Sequence, residues 1–194
     1  MTGGPEVLLA GIALGLTLVI PPGPMNGLIA AQTARRGLRA GILTGAGAMT
    51  ADLILASVVL GLGASALLGP YSREIDLIGA GVLFLFAYRL FRQRHQTAAG
   101  PSGRGRAYLA GLVLGIGNPF QILWWLTAGL ALVGSGGALL LGGLFAAIAL
   151  WILTFPLGLH RVLKRHPRAS EGLAMASMLL LAAFALFLLY LAFA

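Results

Sequence analysis

Val19-Ile20-Pro21-Pro22-Gly23-Pro24-Met25-Asn26 lies inside the first long apolar stretch of the chain, where a spanning helix would be continuous. Proline removes a helical N–H and clashes with the preceding turn, so three of them around Gly23 unwind this segment near its middle. One hundred residues on, the flanking sequence returns. Leu9-Ala10-Gly11-Ile12-Ala13-Leu14-Gly15 reappears as Leu109-Ala110-Gly111-Leu112-Val113-Leu114-Gly115, and the second copy runs into another break, Gly117-Asn118-Pro119. Two related apolar segments, each interrupted at a corresponding position, are the mark of a duplicated membrane protein with a site where the breaks meet.

The composition agrees. Hydrophobic residues make up 59% of the 194 and charged residues only 9%, with a mean hydropathy of +0.95. No soluble domain of this size keeps such a balance. The formal net charge of +8 does not point to nucleic acid, because the basic residues lie in short stretches between apolar segments. That pattern fits an orientation signal and contact with anionic lipid on the cytoplasmic face. With no cysteine, disulfides, thiolate metal sites and thiol redox chemistry are excluded. The N-terminus lacks the basic region and cleavage site of a signal peptide.

A span needs about 20 apolar residues. Six segments qualify, near 5–33, 38–69, 74–91, 107–130, 137–160 and 172–194. All are expected to be helices, since backbone in lipid must bond internally. Twelve of the thirteen basic residues fall between segments one and two (Arg35, Arg36, Arg39), three and four (Arg89, Arg92, Arg94, Arg104, Arg106), and five and six (Arg161, Lys164, Arg165, Arg168). The opposite loops hold only Arg73 and the uncharged Gly134-Ser135-Gly136-Gly137. The positive-inside rule therefore places the basic loops in the cytoplasm and both termini outside the cell inner (plasma) membrane. A basic linker over 92–106 divides residues 1–91 from 107–194, two three-helix repeats of one membrane domain. Each half holds an odd number of spans, so the second enters from the opposite side. The expected fold is all-α and integral to the membrane: six transmembrane helices as a 3+3 inverted-topology repeat, with helices one and four broken.

The breaks and one acid carry the candidate chemistry. Around Pro22, Gly23 and Pro24 the helix restarts near Met25, and its N-terminal N–H groups suit a substrate carboxylate. Asn26 lies in that first new turn, and Asn118, Pro119 and Gln121 offer the same from the other half. The alternative is a pair of plain kinks satisfied by neighbouring helices. Asp52 is the only acid well inside an apolar span. A carboxylate costs roughly 2.5–3.5 kcal/mol to insert at the centre of a spanning helix, so it is kept neutral, paired or wetted. It either exchanges a proton during a cycle, binds a substrate ammonium, or bonds a neighbouring helix for packing. Trp124 and Trp125 read as interfacial anchors or as an aromatic wall for substrate, with Thr127 nearby. Gln32 and Thr33 are candidates for a cytoplasmic exit; Trp151, Thr154 and Pro156 read as packing and a kink. His95, His160 and His166 have no second ligand at metal spacing, so no metal site or cofactor is assigned. Gly41, Gly45 and Gly47 fit a homodimer contact or intrachain packing equally well.

These residues resemble the LysE/RhtB family of amino-acid exporters. The resemblance rests on Pro22-Gly23-Pro24-Met25-Asn26, the turn Arg35-Arg36-Gly37, Ala40-Gly41, Asn118-Pro119, and Asp52 after a run of small residues. It covers about 8–190. Met25 stands where the usual motif has the polar residue directly after proline, and Trp124-Trp125 replaces a commoner Phe-rich stretch. The resemblance implies a secondary exporter of an amino acid or related small metabolite, an antiporter coupled to H+ or another ion. The substrate would sit among Pro22, Gly23, Pro24, Asn26, Asp52, Asn118, Pro119, Gln121 and Trp124, with Asp52 carrying the coupling proton. The alternative is a divalent-cation exporter of the same superfamily, for which one intramembrane Asp per chain is few oxygen ligands. An enzyme is not expected, since no nucleophile with a base and no metal cluster is visible.

Overall fold

In a computed structural model of the chain, residues 4–62, 104–126, 130–166 and 169–193 are described, with eight helical positions between 77 and 91. Every element there is helical: α1 (Gly4–Val19), α2 (Pro24–Arg36), α3 (Leu38–Leu62), α4 (Arg104–Ile116), α5 (Pro119–Trp124), α6 (Leu130–Arg165) and α7 (Ala169–Phe193). α3 and the Gly137–Arg165 stretch of α6 are each long and apolar enough to cross a membrane, and α1 with α2 qualifies as one broken span. Most of the expected segment 74–91 and residues 92–103 of the linker lie outside the described residues. The remaining linker residues, Arg104-Gly105-Arg106, are helical and open α4.

Both expected breaks are present. α1 and α2 meet at 74°, with Gly23 as the N-cap of α2 and Pro24 in its first turn. There the missing proline N–H costs nothing, because the first N–H groups of a helix have no partner inside it. α4 stops at Ile116, and α5 starts with Pro119 behind Asn118, whose Oδ1 accepts from the Phe120 N–H at 3.2 Å. Gly37, at φ 87°, ends α2 in a backbone region that side chains disfavour, and α3 follows at once. Gly137, at φ 57°, marks a kink inside α6, whereas the helix runs on through Pro156.

Packing crosses the two halves of the chain. α3 lies along α4, and α1 along α6. Glycine makes both contacts close. A Cβ on Gly11 would strike the Leu140 carbonyl, one on Gly15 would meet Leu144 and Ala147, and one on Gly143 would meet Leu8 and Ile12. In the other pair, Gly111 faces the Thr44 carbonyl, Gly115 faces Ala48 and Ala51, and Gly47 faces Tyr108 and Leu112. Adding 100 to the α1 positions and 96 to the α3 positions converts one set of contacts into the other. The Leu-Ala-Gly repeat is therefore also a repeat of contacts. Gly41 and Gly45 sit against Thr33 and Ile152 of the same chain, as Gly47 sits against Tyr108. All three glycines named as a homodimer face are thus taken up by intrachain packing. Thr44 Oγ1 donates to the Ala40 carbonyl at 2.8 Å and the Ala107 carbonyl at 3.2 Å, stitching α3 to α4.

Polarity is arranged for lipid. Large apolar side chains stand outward, including Leu150 (59% exposed) and Tyr190 (69%), while the buried set includes Thr33, Thr44, Asp52, Asn118, Gln121 and Ser177. Together with the apolar helices this describes a multi-pass membrane protein.

Candidate functional site

The two breaks and Asp52 meet at one cavity of about 150 Å³. The first break and the start of α2 bring Pro22, Gly23, Pro24, Met25 and Asn26 to it; α3 brings Gly45, Ala48 and Asp52; the second break brings Asn118, Phe120, Gln121 and Trp124; α6 brings Ile148, Trp151 and Ile152. Eight of the nine residues singled out from the sequence line it. Pro119 opens α5 directly after Asn118, and its side chain lies outside what is described.

Asp52 is 4% exposed and is gripped from the other half of the chain. Gln121 Nε2 donates to its Oδ1 at 2.7 Å and Trp125 Nε1 to the same atom at 2.8 Å. Gln121 and Trp125 stand four residues apart, so one face of the segment after the break presents both donors. Oδ2 accepts nothing among the described residues. Asp52 itself lines the cavity. Gln121 Oε1 and Asn118 Nδ2 have no partner among the described residues, and both residues line the cavity while only 7% and 6% exposed.

Asn26 is used differently from Asn118. Its Nδ2 donates to the Val19 carbonyl at 2.6 Å and the Pro21 carbonyl at 3.0 Å, two acceptors released by the break. Its Oδ1 accepts from Trp151 Nε1 at 3.1 Å. The whole amide is occupied in holding the end of α1, the start of α2 and α6 together. No side chain caps α2, and the N–H groups of Met25 and Asn26 have no acceptor among the described residues. That N-terminus is the electropositive edge of the cavity.

The bond from Trp125 to Asp52 is not expected from the sequence. The adjacent tryptophans read as interfacial anchors or as an aromatic wall; Trp125 is fully buried, stacked on Phe145 at 6.0 Å and edge-on to Trp124 at 5.3 Å, while Trp124 lines the cavity. The signal available in the sequence was its four-residue spacing from Gln121. Trp151, read as packing, bonds Asn26 and stacks on Phe155 at 5.2 Å. Thr33 does not line the cavity; its Oγ1 donates to the Ile29 carbonyl at 2.8 Å and it is packed under Gly41. Gln32 lies apart from the cavity too, accepting from Arg36 at 3.3 Å. Thr154 donates to the Leu150 carbonyl on an exposed helix face. Thr127 lies outside the described residues.

Residues 16–141 match the family described as LysE type translocator. The chain is also similar to a Bacillus subtilis (strain 168) protein named "Putative amino acid efflux protein YcgF", at 29% identity over 128 residues. That match covers 62% of this chain and 61% of the relative, so this chain spans about three fifths of the relative's length. No solved structure matches. The cavity where two proline breaks meet lies in a chain matched over most of its length, and the protein belongs to the LysE type translocator family, whose members are transporters and not enzymes.

Proposed function

We propose that the protein is a secondary active exporter of an amino acid, coupled to protons, working by alternating access around this cavity. One observation carries the reading. A buried carboxylate, one oxygen of which has no donor among the described residues, shares a small cavity with an uncapped helix N-terminus. An α-amino acid has the matching pair of groups. Its ammonium is placed at Asp52 Oδ2 with Gln121 Oε1 beside it, and its carboxylate at the Met25 and Asn26 N–H groups with Asn118 Nδ2 able to donate. Asp52 carries the coupling proton. When it is protonated the site loses the charge that holds the ammonium, so proton and substrate compete for one carboxylate.

The paired contacts of α1 with α6 and α4 with α3 support a 3+3 inverted repeat, whose halves rock about the cavity. The mirrored placement of basic residues supports cytoplasmic basic loops, on anionic lipid, and termini outside the plasma membrane. A divalent cation takes about six to eight oxygen ligands in the calcium case, whereas this lining holds one carboxylate.

The test is flux of labelled amino acids into proteoliposomes with and without an imposed pH gradient, wild type beside Asp52→Asn. Asn keeps the Oδ1 acceptor for Gln121 and Trp125 while removing the charge. Saturable, gradient-dependent flux that disappears in Asp52→Asn, with unfolding temperature nearly unchanged, is the expected result. Flux in Asp52→Asn with the wild-type gradient dependence would remove Asp52 from the coupling step. Divalent metals run in the same assay test the cation reading.

A further inference from the structure

We infer that the substrate is an amino acid with one ammonium, one carboxylate and an apolar side chain, and that Ile148 is the residue that keeps a second charge out. The inference rests on the exporter reading and narrows it. Among the described residues, Asp52 is the only acidic side chain in the cavity lining and there is no basic one. Its open oxygen and the α2 start account for the two charges of a zwitterion. Most of the remaining wall is apolar, including Leu18, Ile29, Phe120, Trp124, Ile148 and Ile152, with the Thr17 hydroxyl as a neutral polar group. A lysine, arginine or glutamate side chain would bring a further charge against that surface with no counter-charge, and an unpaired charge in apolar surroundings is costly.

The repeat shows where a counter-charge would have stood. In the glycine contacts Leu144 corresponds to Ala48 and Ala147 to Ala51, a constant offset of 96. The next position after Ala51 is Asp52 and the next after Ala147 is Ile148, and both line the cavity. The duplicated architecture thus presents two equivalent seats to one cavity, and the chain puts a carboxylate in one and isoleucine, 2% exposed, in the other. Two acids there would suit a substrate with two cationic groups; one suits a substrate with one.

The experiment is competition in proteoliposomes, with leucine, methionine and valine set against lysine, arginine and glutamate, on wild type and Ile148→Asp. In the wild type the apolar amino acids are expected to move or compete about tenfold or more better than the charged ones, at least the scale on which an apolar pocket discriminates by a single methylene. Ile148→Asp is expected to gain lysine flux and lose its preference for leucine. Wild-type protein that prefers lysine, arginine or glutamate overturns the inference and leaves the exporter reading standing. Protein that moves no amino acid in correctly sealed vesicles overturns both. The wild-type panel decides the substrate class even if Ile148→Asp does not fold, and a folded Ile148→Asp with unchanged selectivity overturns the role given to Ile148.

Discussion

At the scale of single residues, the site is a set of side chains with divided duties. Asn26 and Trp125 are occupied in holding other groups, while Asp52, Asn118 and Gln121 line the cavity and each keep one polar atom without a partner among the described residues. Trp125→Phe keeps most of the ring but removes the donor to Asp52. It is expected to lower stability by about 1–3 kcal/mol, the range for a buried hydrogen bond to an ionisable group. Thermal unfolding of the purified protein in detergent checks this, and an unchanged midpoint would mean that Gln121 alone satisfies Asp52. Asp52 and Gln121 were legible in the sequence because a lone acid and an amide next to a proline break are rare inside apolar runs. Their contact was not, since it joins positions 69 residues apart. Trp125 was illegible for another reason: tryptophan has two homes in a membrane protein, the interface and a hydrogen-bonded interior, and composition does not choose between them.

At the scale of helices, the contacts that matter are made by residues with no side chain. Gly11→Ala and Gly111→Ala each push a Cβ into a backbone carbonyl of the facing helix, Leu140 in one case and Thr44 in the other. Helix backbones give way less readily than side chains, so each substitution is expected to cost about 1–3 kcal/mol, as overpacking does. The two costs should be similar, because the two contacts are equivalent. Gly142→Ala is the control. Nothing lies near its Cβ, and alanine in a helix interior is favoured over glycine by roughly 1 kcal/mol. Parallel melting curves test all three, and a neutral Gly111→Ala would argue against close α3–α4 packing. The breaks could be read from proline, and the repeat from five identities in a stretch of seven residues. Which helix each copy packs against could not, because a small-residue face fits an intrachain neighbour or a second copy equally well. Gly41, Gly45 and Gly47 show this, since only the fold revealed that their partners lie in the same chain.

At the scale of the whole molecule, orientation follows from charge and can be tested cleanly, because a chain without cysteine accepts a single reporter thiol. Ser135→Cys in intact cells is expected to react with a membrane-impermeant maleimide, and His166→Cys only after permeabilisation. The reverse pattern would invert the topology. The boundary of the linker was not legible to the residue, because Arg104 and Arg106 are good helix formers that read equally as loop charge. The cross-half packing also has a consequence for how the protein is made. Gly11 in α1 faces Leu140, a residue 129 positions later in the chain. At ribosomal rates of about 5–20 residues per second, α1 waits on the order of 6–26 s before its partner exists. During that time its glycine face meets lipid or whatever helix is near, so a nascent chain stopped after the first half would present two unfilled grooves, and only synthesis of the second half closes them.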